Sequence, residues 1–218
     1  MAFQPASPTP IYDLGHRGDV DYTLIDKMLR MTPTERLRHH ERWRGLLRKG
    51  PMLPNFVEEI ASRLQDAGVE FLVVGGVSAI LQGAGVNTMD LDICYRRTPQ
   101  NIARLVTALA PLNPRPRGFS PDLPFVFDER TVQLGSNFTL EIGPESLDLL
   151  GEMSAIGGYD QVIGSALEAT VGSRSVKVLS LEQLIITKTA AGRTKDLAAL
   201  PELQATLERK RQQGSTNP

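Results

Sequence analysis

The sequence predicts an α/β (α+β) fold, a small mixed β-sheet flanked by helices, with a helical extension ahead of it. Three observations carry this expectation. Apolar residues recur at helical spacing in 55–67 (Phe56, Ile60, Leu64) and 181–191 (Leu181, Leu184, Ile185). Short apolar runs of strand type, beginning with Phe71-Leu72-Val73-Val74, lie between such segments. Glycine and proline punctuate the boundaries. At 218 residues the chain is long enough for one full core with a small appendage.

The elements follow in order. Residues 1 to about 20 are rich in Pro, Gly and Ser and read as a flexible or extended arm. From Tyr22 to Lys49 two helices are expected. The second opens on Thr32-Pro33-Thr34-Glu35, an N-cap threonine, a proline at the first helical position and a glutamate at the third. It carries Arg36, Arg38, His39, His40, Arg42, Arg44, Arg48 and Lys49 against Glu41 alone, and ends at Gly50-Pro51. A helix over 55–67 ends at Gly68, and a strand over 71–74 runs into the Gly75-Gly76 turn. A short helix over 77–82 precedes a second strand, Met89 to Tyr95. Thr98 caps a helix to about Leu109. Five prolines between Pro111 and Pro124 predict a loop. Strand candidates follow at Val126–Phe127, Val132–Leu134, Phe138–Ile142, Leu147–Leu150 and Val176–Val178. Ser180 caps a helix to about Ala191, and 195–209 continues helical. The expected division is an arm with a basic helical extension over 1–50, a catalytic-size domain over 51–206, and a flexible tail over 207–218.

Composition excludes several classes. No apolar run approaches the roughly 18 residues that a membrane-spanning helix needs, and the start lacks a basic-then-apolar leader, so no membrane association and a cytoplasmic location are expected. One cysteine, Cys94, excludes an intrachain disulfide and a thiolate zinc site. It follows Asp92 by two and so shares that strand face, where a small buried thiol is expected. The net charge of −1 is not that of a generic nucleic-acid binder. His39 and His40 are adjacent, which splays them by about 100° on a helix and suits a surface better than a metal. The basic helix is a candidate contact for RNA or an acidic partner protein, and Trp43 is expected to pack. There is no Walker A sequence and no third glycine of a dinucleotide fingerprint.

The chemistry is concentrated between Val74 and Ile93. A strand ending in Gly75-Gly76 and running straight into a helix leaves backbone N–H groups where a phosphate can come close, and Ser78 adds a hydroxyl. Fourteen residues after Gly76 comes Asp90-Leu91-Asp92-Ile93. Side chains alternate along a strand, so Asp90 and Asp92 share one face while Leu91 and Ile93 enter the core. Two carboxylates on one face suit Mg²⁺, a hard cation that bridges to substrate phosphates. Further on, Lys188 falls in line with the apolar stripe of its helix, where it either snorkels or presents its ammonium to a triphosphate.

Val74-Gly75-Gly76, thirteen residues, then Asp90-Leu91-Asp92-Ile93 resembles the signature of the DNA polymerase β-like nucleotidyltransferase superfamily. The resemblance implies the nucleotidyltransferase fold and a third carboxylate on a neighbouring strand. Asp148, flanked by leucines, fits that role best, with Glu141 its rival and Glu145 expected in a turn. The segment from Leu184 through Lys188, Arg193, Lys195 and Asp196 resembles that of AbiEii-type nucleotidyltransferases, in which it contributes to nucleotide binding. A salt-bridged, solvated helix end accounts for the same charges without a nucleotide. The resemblance covers roughly 68–204, and no counterpart of the large C-terminal helical domain of longer AbiEii-type proteins is expected.

What the resemblance implies is a metal-dependent transfer of a nucleoside monophosphate from an NTP to an acceptor hydroxyl, with release of pyrophosphate. Asp90, Asp92 and Asp148 would be catalytic and hold Mg²⁺, as one or two ions, with Mn²⁺ a substitute. Gly75, Gly76, Ser78, Lys188, Arg193, Lys195 and Asp196 would bind the nucleotide. The acceptor is left open among RNA, protein and small molecules. The alternative is a nucleotide-binding toxin–antitoxin or regulatory module of little turnover, whose antitoxin would meet the basic helix.

Overall fold

The computed structural model describes residues 20–45, 53–120 and 122–215. The helices are α1 (Tyr22–Leu29), α2 (Pro33–Gly45), α3 (Leu53–Asp66), α4 (Gly75–Leu81), α5 (Pro99–Leu109), α6 (Glu129–Leu134), α7 (Tyr159–Val162), α8 (Leu181–Ala191) and α9 (Thr194–Ser215). The strands are β1 (Phe71–Val74), β2 (Asp90–Tyr95), β3 (Arg115–Pro116), β4 (Asn137–Ile142), β5 (Glu145–Leu150), β6 (Leu167–Val171) and β7 (Arg174–Val178). They form one mixed sheet in the order β3-β4-β5-β2-β1-β7-β6. The arm, His16, and the expected end of the basic helix at Arg48, Lys49 and Gly50-Pro51 lie outside the described residues. So do the side chains of Glu41, Arg42, Trp43 and Arg44.

Alternation along the strands divides the core between two faces. Phe71 and Val73 of β1, with Leu91, Ile93 and Tyr95 of β2, join a cluster containing Leu37 of α2, Val57 and Ile60 of α3, and Leu105 of α5. Leu72 and Val74, with Cys94, face the other way and pack with Leu184 and Ile185 of α8 and Leu200 and Leu203 of α9. The sheet is therefore covered on both faces, as its apolar strands require. Ile25 and Met28 of α1 and Leu37 of α2 are buried, so the helices that precede β1 contribute core residues.

The expected caps form. The Thr32 backbone N–H donates to Glu35 Oε2 at 2.8 Å, and the Glu35 N–H returns to Thr32 Oγ1 at 3.3 Å. Thr98 Oγ1 accepts from the Asn101 N–H, Ser180 Oγ from that of Gln183, and Gly192 closes α8 in the left-handed conformation.

Several elements differ from expectation. Val132–Leu134 is helical, not a strand, because Asp128 accepts from the Thr131 N–H at 2.8 Å and so caps α6. Val126–Phe127 is not a strand: Phe127 is buried by a loop that leaves Val126 exposed. Within the proline-rich loop, Arg115 and Pro116 pair with Glu141 and Leu140 to form the sheet edge. Strand β6, unforeseen, pairs antiparallel with β7 through a turn at Gly172-Ser173. Glu145 opens β5 and is buried. Helix α9 continues to Ser215, anchored by an Arg209–Asp26 ion pair at 2.6 Å.

Candidate active site

Strand β2 runs antiparallel to β1 and parallel to β5, with Asp92 opposite Val74 on one side and opposite Asp148 on the other. This register, with the alternation of β2, brings three carboxylates together. Asp90, Asp92 and Asp148 each offer an oxygen, all within 4.8 Å of one another. Glu141 is not in this group; it lies on β4, opposite Ser146, and is exposed. The third carboxylate of the cluster is Asp148.

The glycine turn is shaped around Asp92. Gly75 has φ +59°, and a Cβ there would stand 1.9 Å from Asp92 Oδ2, well inside contact distance. A Cβ on Gly76 would meet Thr88 Cβ at 2.4 Å. Neither position accepts a side chain while Asp92 and Thr88 keep their places. Thr88 Oγ1 donates to Asp90 Oδ1 at 2.9 Å and so orients that carboxylate.

Burial pushes the Asp92 carboxyl up to about 7, and the negative charges of Asp90 and Asp148 add to the effect. Lys188 and Lys195 oppose it. Burial also raises Asp148, against the pull of Arg117. The Arg117 guanidinium donates to Asp148 Oδ1 at 2.9 Å. It comes from the segment following β3, in the proline-rich stretch where no catalytic signal is legible in the sequence. The Cys94 thiol shares this face, and burial pushes it up to about 12, which leaves it an inert packing group.

A cleft of about 630 Å³ opens beside the cluster. Gly75, Gly76, Thr88, Asp90 and Asp92 form one wall, and Lys188, Arg193, Lys195 and Asp196 another. Lys188 Nζ donates to Asp196 Oδ1 at 2.9 Å, and Arg193 Nε to Asp196 Oδ2 at 2.5 Å. Asp196 is almost wholly buried; burial would raise its carboxyl, but hydrogen bonds from Lys188 and Arg193 hold it below the usual range. It is thus the internal anchor of two cations. Lys195 is exposed and has no ion-pair partner among the described residues.

Ser78 does not line the cleft. It is fully buried, and its hydroxyl donates to the Leu179 carbonyl at 2.6 Å. Gln82, one turn on, donates to the same carbonyl at 2.7 Å and accepts from the Leu181 N–H at 3.2 Å. These two residues tie α4 to the start of α8 and set the Lys188 helix across from the glycine turn. The serine is spent on structure; the periodicity of so short a helix did not separate its buried from its open side.

A seven-stranded mixed sheet carrying three clustered aspartates beside a Gly-Gly turn has the nucleotidyltransferase fold, and structural comparison agrees. ANT(2″)-Ia in complex with adenylyl-2″-tobramycin superposes with a TM-score of 0.51 at 15% identity, over 74% of this chain and 92% of that one. The solution structure of the same antibiotic-resistance factor gives 0.45 at 14%, over 74% and 92%. A Thermotoga maritima protein described as a candidate nucleotidyltransferase gives 0.42 at 16%, over 74% and 86%. No family model and no curated protein matches the sequence. The superposition on the tobramycin-product complex, at 15% identity, shows a shared fold and the fold alone. Among the described residues no helix is long and apolar enough to cross a membrane.

Proposed function

We propose that the protein is a metal-dependent nucleotidyltransferase, moving a nucleoside monophosphate from an NTP to an acceptor hydroxyl with release of pyrophosphate. The observation that carries the reading is the carboxylate cluster: Asp90, Asp92 and Asp148 converge within 4.8 Å while burial holds Asp92 near 7. Three acids so placed repel one another, and a divalent cation offsets that repulsion. The donor set, all carboxylate oxygen, fits Mg²⁺, with Mn²⁺ a substitute. Held by Asp90, Asp92 and Asp148, such an ion would neutralise charge developing on the transferring phosphoryl group.

The chain's own residues supply the rest. Gly75 and Gly76 allow the triphosphate to come against the backbone, and Lys195, exposed at the cleft, offsets its charge. Lys188 and Arg193, held by Asp196, shape that wall; this fits the AbiEii-type reading of the segment, with Asp196 as the organiser. Asp148 accepts the proton of the acceptor hydroxyl as its oxygen attacks the α-phosphorus in line, and the bond to the bridging oxygen of pyrophosphate breaks. ANT(2″)-Ia holds an adenylylated acceptor, which agrees with a nucleotide donor.

The test uses each α-labelled nucleotide with cell extract as the source of acceptors. Wild-type protein transfers label with release of pyrophosphate, and Asp90→Asn, still folded by circular dichroism, falls to background. Equal transfer by that variant would sink the reading. Tight nucleotide binding without pyrophosphate release would identify a binding module instead.

A further inference from the structure

The loop between α4 and β2 carries the last residues before the carboxylates, and α2 reaches it. His40 Nε2 accepts from the Thr88 backbone N–H at 3.3 Å and lies 3.2 Å from Asn87 Oδ1. Thr88, 7% exposed, fills the space against Gly76 and passes the constraint on, through its hydroxyl, to Asp90 Oδ1 at 2.9 Å. On its other side the loop is held by α9, where the Gly85 N–H donates to Glu202 Oε1 at 2.8 Å. A carboxylate that ligates a cation binds best when its orientation is fixed in advance by partners behind it. From these contacts we infer that His40 is a positioning residue for Asp90, acting through Thr88, and that α2 is thereby a working part of the site.

The inference rests on the metal-site reading of Asp90, Asp92 and Asp148. Its chemistry is local. Nε2 receives the Thr88 backbone N–H, and this fixes the backbone two residues ahead of Asp90. With that backbone fixed, the Thr88 hydroxyl is held on Asp90 Oδ1 and restrains the rotation of that carboxylate. A glutamine at position 40 has a terminal amide oxygen able to accept the same N–H. A phenylalanine has the ring and no acceptor. The two substitutions therefore separate hydrogen bonding from packing.

The measurement is Mn²⁺ affinity of the full-length, nucleotide-free protein, read from the electron paramagnetic resonance signal of free Mn²⁺. Losing a supporting partner typically costs about 10–100-fold in metal affinity, and His40 stands one residue further back, so His40→Phe is expected to weaken binding about fivefold. His40→Gln should stay within about twofold of wild type by the same reasoning. Thr88→Val, which removes only the hydroxyl, should weaken binding at least as much as His40→Phe. It serves in place of the phenylalanine variant if that one melts early. Wild-type affinity in folded His40→Phe or in Thr88→Val overturns the inference, and so does a glutamine variant as weak as the phenylalanine one. Asp90→Asn separates the two levels. If wild type binds no Mn²⁺, or Asp90→Asn binds it unchanged, the metal site itself fails and the positioning role of His40 with it. If Asp90→Asn loses binding and the position-40 variants do not, the positioning role of His40 alone fails.

Discussion

At Asp92 the proposed metal site and the stability of the fold are set against each other. Its carboxyl stands near 7 in the fold and near 3.8 in an unconstrained chain. Between those values the native state binds more protons than the unfolded one, so stability falls as pH rises through this window. Below it the group is neutral in both states and costs nothing; above it the full cost of a half-buried, repelled charge applies. Asp92→Asn removes that charge and keeps the shape. At pH 8, without divalent metal, the variant is expected to be more stable than wild type by about 1–3 kcal/mol, on the scale of about 1.4 kcal/mol per pH unit. In a chain of this length that raises the melting point by roughly 3–10 °C. The gain should disappear toward pH 4, and Mg²⁺ should raise the wild-type melting point at pH 8 but not that of the variant. A variant no more stable than wild type at pH 8 would mean that the cluster carries little strain.

At the scale of elements, the joint between α8 and α9 depends on one buried acid. Asp196 receives Lys188 from one helix and Arg193 from the turn before its own. Lys188 is only partly exposed, so removing its partner leaves a cation that cannot fully return to water. Asp196→Ala is expected to cost about 2–3 kcal/mol, the range for hydrogen bonds to charged groups, measured by urea unfolding. Nucleotide affinity should fall with it, since two cations of the cleft wall lose their anchor. This joint also shows what the sequence does and does not disclose. The turn at Gly75-Gly76 and the acids at 90 and 92 were legible because close approach demands glycine and alternation puts both acids on one face. Asp148 was legible from its flanking leucines, though Glu141 satisfied the same chemistry until the β2–β5 register separated them. Arg117 was not legible, because its role exists only once the proline-rich segment folds back as the β3 edge. The burial of Ser78 is not legible, because a helix of seven residues gives too few turns to tell its faces apart. Val132–Leu134 predicts a strand by its apolar run, while the Asp128 cap that makes it helical is a single hydrogen bond.

At the scale of the molecule, the basic sequence of α2 reads as a surface for nucleic acid or an acidic partner, yet its first arginine is spent inside. Arg36 donates to the carbonyls of Met28 at 2.7 Å and Leu29 at 3.2 Å, and also to that of Leu81. The first two end α1 and the third ends α4, so one guanidinium closes two helix C-termini and joins the helices before the sheet to the helix that begins at the glycine turn. Carbonyls at helix ends need such partners, and a cation there also meets the negative end of each dipole. Arg38, on the same helix, is exposed and donates no hydrogen bond among those described. The two arginines therefore form a paired experiment on one helix. Arg36→Met keeps most of the side-chain volume and leaves the Leu29 and Leu81 carbonyls without this donor, while the Met28 carbonyl still accepts from the Met31 N–H at 3.1 Å, at an expected cost of about 2–4 kcal/mol for part-buried groups left unsatisfied. That lowers the melting point by roughly 4–16 °C in a chain of this size. Arg38→Met removes the same charge from the same helix and should change stability by less than about 0.5 kcal/mol. Comparable losses in both variants would show that net charge on α2, rather than the closure of α1 and α4, is what the arginines provide. A loss confined to Arg36→Met would make the helices before β1 part of the cooperative unit that holds the carboxylate cluster.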